Sequence, residues 1–370
     1  MKDEPDSSSK PNQPPAASLP IFDGVKGIDD ARDVQVREKT ALDKLLELSE
    51  VFTASPPERL GDIDHSNYPS KQLWFCAKNY SNRIFSTLIK ELKETSLTEQ
   101  DIKEFVLATS NIEMPSIDHR VALGIYSGCL LTLLAERNKR EGKETKFHIN
   151  GHGNRFDYLF IGVNGLDEII VQRFSGDDIL NNIYGVKRII GIGIKGDSPL
   201  CYCDGSDKTE SQIVGIGIEG SHTFYHTSSV NQVIGLGLSG KSLFTGVGFY
   251  GEVNELFAVG VYDNGDESLA NLGVKQITIL GMNMENLFSH SCGFEEGVEK
   301  FICLKYVPPS IARRVYSIVY GGDGRQYTQH PDYLKPEQLA AQFDGKTHYE
   351  ITSIVDRLSK LKGIIEWRLR

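Results

Sequence analysis

Three stretches match a pattern that cradles phosphate: Gly191-x-Gly193-x-x-Gly196, Gly215-x-Gly217-x-x-Gly220 and Gly235-x-Gly237-x-x-Gly240. In a dinucleotide site that spacing works because the last glycine opens a helix whose N-terminus holds pyrophosphate. Here the next strand-like run follows within about fifteen residues, and the match occurs three times in succession. These are repeat glycines, and no cofactor is expected. His222 and His226 stand four apart, a chelating distance on a helix but roughly 13 Å on an extended strand, and His148 and His152 meet the same difficulty. Cys201 and Cys203 share a strand face, with Cys292 and Cys303 four to five repeats away. That is weaker than a paired CxxC, so the thiols are read as small core residues and no metal is expected. GxSxG and HExxH patterns are absent.

Carboxylates need separate treatment, because parallel β-helices often host polysaccharide lyases and hydrolases. That chemistry requires two or three acidic groups converging on one face. The turn position after each repeat reads Asp197, Ser221, Lys241, Asn264, Glu285, which is not an acidic ladder. The denser groups, Asp204 with Asp207 and Asp263 with Asp266 and Glu267, fall on turns, where carboxylates are common.

The elements behind these residues are a repeat. Nineteen of the 36 glycines lie between Gly191 and Lys300. Ile190 to Gly196, Val214 to Gly220 and Ile234 to Gly240 are plain copies, with weaker ones at Ala258 to Val261 and Leu280 to Met282. Outer copies stand at Ile161 to Val163 and Ile302 to Leu304. Reference positions at 162, 193, 217, 237, 260, 281 and 303 give seven units of about 22 residues. A second apolar pulse follows at Leu200, Phe224, Phe244 and Phe288, and at Leu269 if two inserted residues are allowed near Asp263-Asn264-Gly265. Each period holds a strand, a glycine turn and a second short strand, with no room for a helix. That is one coil of a parallel β-solenoid. Val233-x-x-Leu236-x-Leu238 also has leucine-rich-repeat spacing, but Asp197, Ser221 and Lys241 stand where that repeat wants Asn.

Strand alternation places Ile190, Ile192 and Ile194 on one face and Gly191 and Gly193 on the other. Stacking then makes Ile192, Ile216, Leu236 and Val259 one inward ladder. Gly193, Gly217, Gly237, Gly260 and Gly281 become a flat outer row, the candidate binding surface. Glycine is kept in strands where another backbone approaches, so a helix of this chain, or a partner, is expected on the row, the remaining alternative being turn-like geometry with no row at all.

Residues 1–20, rich in Pro and Ser, read as a disordered tail without an apolar signal region. Residues 21–146 form a helical domain. Leu42, Leu45, Leu46, Ser49 and Phe52 share one helical face, Ile84, Phe85, Leu88, Ile89 and Leu92 another, and Thr98 with Asp101 caps a third helix. The run from Asp118 to Arg140 is apolar nearly all round, which suits a bundle centre. Gly124 and Gly128 there mark close packing, and the uncharged stretch Val121 to Ala135 is too short to span a bilayer. Residues 147–307 are the solenoid. Residues 308–370 form a C-terminal helical cap, begun by Pro308-Pro309 and containing an amphipathic helix through Ile351, Ile354, Val355, Leu358, Leu361, Ile364 and Ile365.

Forty basic and fifty acidic residues give a net charge of −10. Between Gly191 and Lys300 stand fourteen Asp or Glu, five Lys and no Arg, a net of −9. That surface repels phosphate backbones, so neither nucleic acid nor membrane is an expected partner. Six Cys are too few for a disulfide scaffold and fit a reduced, cytoplasmic setting. The expected fold is mixed α and β: a central right-handed parallel β-solenoid between an N-terminal helical domain and a C-terminal helical cap. The expected role is non-enzymatic binding or scaffolding toward a protein or glycan partner. The alternative is a carbohydrate-active enzyme using acidic turn residues. Oligomeric state is not legible.

Overall fold

The structure, a computed structural model, describes residues 39–57, 71–205, 210–263, 269, 272–281, 299–304 and 336–369, with side chains left aside at 71–76, 263, 300–304 and 361–369. The 1–20 segment, Asp207, Asn264, Asp266, Glu267, Glu285, Phe288, Cys292 and Pro308-Pro309 lie outside the described residues. Thr40–Arg370 form one compact unit.

Four helices open it: α1 (Ala41–Thr53), α2 (Lys71–Glu91), α3 (Glu99–Thr109) and α4 (Ile117–Arg140). Capping boxes start two of them, Thr40 with Asp43 and Thr98 with Asp101, each threonine hydroxyl accepting the third backbone N–H. The core side chains Leu45, Ile84, Leu88, Ile102 and Phe105 are fully buried. α4 is long and apolar enough to cross a membrane, but most of it is buried in the protein. It lies on the first solenoid coil. A Cβ at Gly124 or Gly128 would run into the carbonyls of Tyr158 and Ile161, so these glycines let helix and coil backbones touch. Ser127 Oγ accepts the Phe160 N–H at 3.0 Å.

The solenoid contributes β1 (Lys146–Asn150), β2 (Glu168–Gln172), β3 (Tyr184–Val186), β4 (Arg188–Ile192), β5 (Asp204–Gly205), β6 (Gln212–Ile216), β7 (Gln232–Leu236), β8 (Ser239–Gly240), β9 (Val253–Val259), β10 (Tyr262–Asp263), β11 (Val274–Leu280) and β12 (Lys300–Leu304). Eight of these form one parallel sheet in the order β1-β2-β4-β6-β7-β9-β11-β12. The pairs β3–β5 and β8–β10 continue shorter parallel ladders on other sides of the coil.

Register corrects the repeat count. Gln172 pairs with Ile192, so Arg173 occupies the corner that Gly193 takes in the next coil, at φ +54° against +61°. Gly162 is off this ladder, and the run Ile161 to Val163 is turn rather than strand. The long first step in the glycine spacing hides the coil of β2. Its corner residue is an arginine, which a search for glycines passes over.

Facing is corrected as well. Ile192, Ile216, Leu236 and Val259 do form one ladder in register. With Ile190, Val214, Ile234 and Phe257 it faces away from the coil interior, onto two C-terminal helices, α5 (Pro336–Ala341) and α6 (His348–Leu369). Gly191, Gly215 and Gly235 point inward instead, where an added Cβ would meet Leu200, Phe224 and Phe244. Strand alternation ends at the corner, because a left-handed residue turns the chain and sends Ile194 into the interior. From β2 to β11 the sheet is therefore buried on both faces, which explains strands apolar at nearly every position.

The second apolar pulse is not a strand. Asp178, Leu180 and Asn182, then Ser198, Leu200 and Tyr202, then His222, Phe224 and His226 are all left-handed, with φ between +51° and +64°. These alternating turns aim Leu180, Leu200 and Phe224 inward, where they are fully buried together with Phe244 of the next coil. Phe224 and Phe244 stack at 5.7 Å with planes 9° apart.

Candidate functional site

Gly193, Gly217, Gly237, Gly260 and Gly281 stack at the corner after the long sheet, with φ from +56° to +69°. They turn the chain. α5 lies on two of them: a Cβ at Gly193 would come within 2.8 Å of Ala340 Cβ, and one at Gly217 would run into the Pro336 carbonyl. Beside this contact is a recess of about 300 Å³ that includes Gly193, Gly217, Arg173, Lys195, Glu219, Glu337 and Asp344. Its charges are matched within the chain, Arg173 with Asp344 at 2.7 Å and Lys195 with Glu337 at 2.8 Å and Glu219 at 3.3 Å. The recess is bridged by the protein's own helix.

A different side of the same coils carries an aromatic cluster. Tyr202 and His226 occupy equivalent turn positions in adjacent coils and stack at 5.4 Å with planes 29° apart. Tyr225 meets the His226 ring edge-on at 4.1 Å and the Tyr202 ring at 5.7 Å, and His222 meets Tyr225 at 5.6 Å. In the next coil Gly246 stands where a side chain would collide with the His226 ring. Into that gap come Phe249 and Tyr250, 5.7 Å and 5.0 Å from His226 and 5.0 Å from each other. They are 40% and 50% exposed, whereas His226 is only 6% exposed. Burial pushes the His226 imidazole down to about 4, against a backbone hydrogen bond at Gly246. His226 is therefore uncharged at neutral pH, and around it stand aromatic faces and hydroxyls, in a segment of net charge −9.

Sequence spacing raised His222 and His226 only as a pair that a helix would let chelate and a strand holds too far apart, and missed the four Tyr and Phe. A signal existed: Tyr202, Tyr225 and Phe249 recur at about one coil length. It is masked by the left-handed turns, which put residues two apart on one side and bring adjacent ones into ring contact.

The acidic turn residues do form a short row in the first coils. Asp157 Oδ1 accepts the Asp177 N–H at 3.2 Å, Asp177 Oδ1 the Asp197 N–H at 2.8 Å, and Asp197 Oδ1 the Ser221 N–H at 2.9 Å. Arg120 and Arg155 hold Asp157 at 2.7 Å and 3.0 Å. Burial pushes the Asp157 carboxyl up, but these arginines and the Asp177 N–H outweigh it and keep it below the ordinary range. Glu168, also buried, contacts His348 and lies 3.0 Å from both Arg188 and the Thr352 hydroxyl, joining β2 to α6. Cys201 and Cys203 are fully buried with thiols pushed up by desolvation, which suits core residues rather than nucleophiles. The chain matches no family model, no curated protein and no solved structure.

Proposed function

We propose that this protein is a non-enzymatic binding module whose solenoid presents the cluster of Tyr202, His222, Tyr225, His226, Phe249 and Tyr250 to a neutral glycan. The supporting observation is the pair of exposed rings, Phe249 and Tyr250, set against a neutral, buried His226. Sugar faces carry polarised C–H groups that pack on the negative face of an aromatic ring, and hydroxyls at the rim orient them. Successive coils repeat the surface at strand spacing, so an extended oligosaccharide can lie across several. The acidic segment disfavours uronic-acid chains and nucleic acids.

A second reading, a carbohydrate-active enzyme, draws on the carboxylate row Asp157, Asp177 and Asp197. One experiment separates the two. A panel of neutral and uronic-acid oligosaccharides is screened for binding by wild type and by the Phe249→Ala/Tyr250→Ala double variant, and the mixtures are then chromatographed. Binding module predicts retention of neutral glycans, loss in the double variant and intact oligosaccharide. Shortened products that vanish in Asp177→Asn would establish the enzyme instead.

A further inference from the structure

A second site lies where the helical domain meets the solenoid. α2, α4 and the first coils line a half-open pocket of about 640 Å³, within the size range of small-molecule sites. It persists because the residues around it are short. Ala77 and Ser81 on α2 and Gly162 on the coil leave space that larger side chains would fill. Gly124 and Gly128 press the neighbouring turns of α4 hard onto the coil, so the helix cannot settle inward.

The walls are neutral. Ile125, Ile161 and Phe85 supply apolar surface, and the Cys129 thiol, 3.4 Å from Ser81 Oγ, is pushed up to about 12 by burial. The mouth is different. Glu136 is already matched by Arg140 at 3.0 Å, whereas Lys78 is exposed and makes no ion pair among the described residues. One uncompensated cation at the rim of an apolar chamber selects a ligand with an apolar body and one negative head.

We propose that this cavity binds an amphipathic carboxylate, its chain between α2 and α4 and its head at Lys78. The probe is decanoate, titrated calorimetrically into the full chain, with 1-decanol as the neutral-head comparison. Saturable decanoate binding is expected, tighter than that of decanol. Ser81→Phe or Ala77→Phe, which fill the chamber, should weaken it at least about tenfold. Lys78→Gln should weaken decanoate alone, by about two- to fivefold, as an exposed ion pair allows. Hydrogen exchange on the wild type gives a readout independent of any variant's folding: decanoate should protect residues 77–85 and 125–136. No saturable binding, equal affinity for decanol, unchanged affinity in both filled variants, or protection confined to residues 222–250 would each overturn the proposal.

Discussion

Phe224 and Phe244 fill the coil interior because Gly215 and Gly235 stand across from them, and a Cβ on either glycine would lie 2.8 Å or 3.1 Å from the facing ring. Large and small residues are thus paired across the coil, and the pairing was half legible. The phenylalanine pulse showed in the spacing, but alternation assigned the glycines to the wrong face. Phe244→Ala should cost about 3–5 kcal/mol in a denaturant titration, since it removes a buried ring from a stack that cannot collapse around the gap. A loss below about 1 kcal/mol would contradict that packing. His226 gives a pH prediction of definite sign. Its folded value is about 4 against 6.5 unfolded, so above pH 6.5 both states are neutral and it contributes nothing. As pH falls from 6.5 to 4, the unfolded chain takes up a proton that the folded one refuses, and stability drops. His148, also pushed down by burial, adds to the same slope. In His226→Phe the fall in melting temperature across that window should be shallower than in wild type. An unchanged slope would mean the ring is solvated.

Elements show why the corners escaped the sequence. A glycine at φ near +60° reads as a strand residue when only its neighbours are apolar, and Arg173 in the same conformation leaves no signature at all. α5, six residues long, is too short for helical periodicity to register. α1, α3, α4 and α6, by contrast, were readable from capping residues and apolar stripes. Because Gly217 is a left-handed corner under the Pro336 carbonyl, Gly217→Val should destabilise, by about 1–3 kcal/mol from overpacking in addition to backbone strain. A neutral or stabilising result in thermal melts would restore the free-strand reading. The contact of β2 with α6 is testable as well. Burial pushes the Glu168 carboxyl up, but His348 and Arg188 more than offset it and hold it below the ordinary range. Its contribution is therefore present above the unfolded carboxylate value and is lost as pH falls through the folded one. Glu168→Gln should speed amide exchange in α6 while leaving α4 unchanged. Equal protection in both helices would show that the apolar ladder alone holds α6.

Across the whole molecule, a repeat of about 22 residues made the solenoid legible, because each coil must bury its strand against the next. The proposed binding surface was less legible, because it rests on which rings meet across coils, and that depends on turn conformations invisible in composition. The −9 segment is the one that bears the aromatic cluster. The central claim is that this cluster is the binding surface. It is tested most directly by calorimetric titration of neutral gluco-, manno- and xylo-oligosaccharides into wild type and the Phe249→Ala/Tyr250→Ala variant. The account predicts saturable heat with at least one neutral series in wild type and none in the variant at unchanged melting temperature. No saturable heat with any series, or the same heat in the variant, would contradict it.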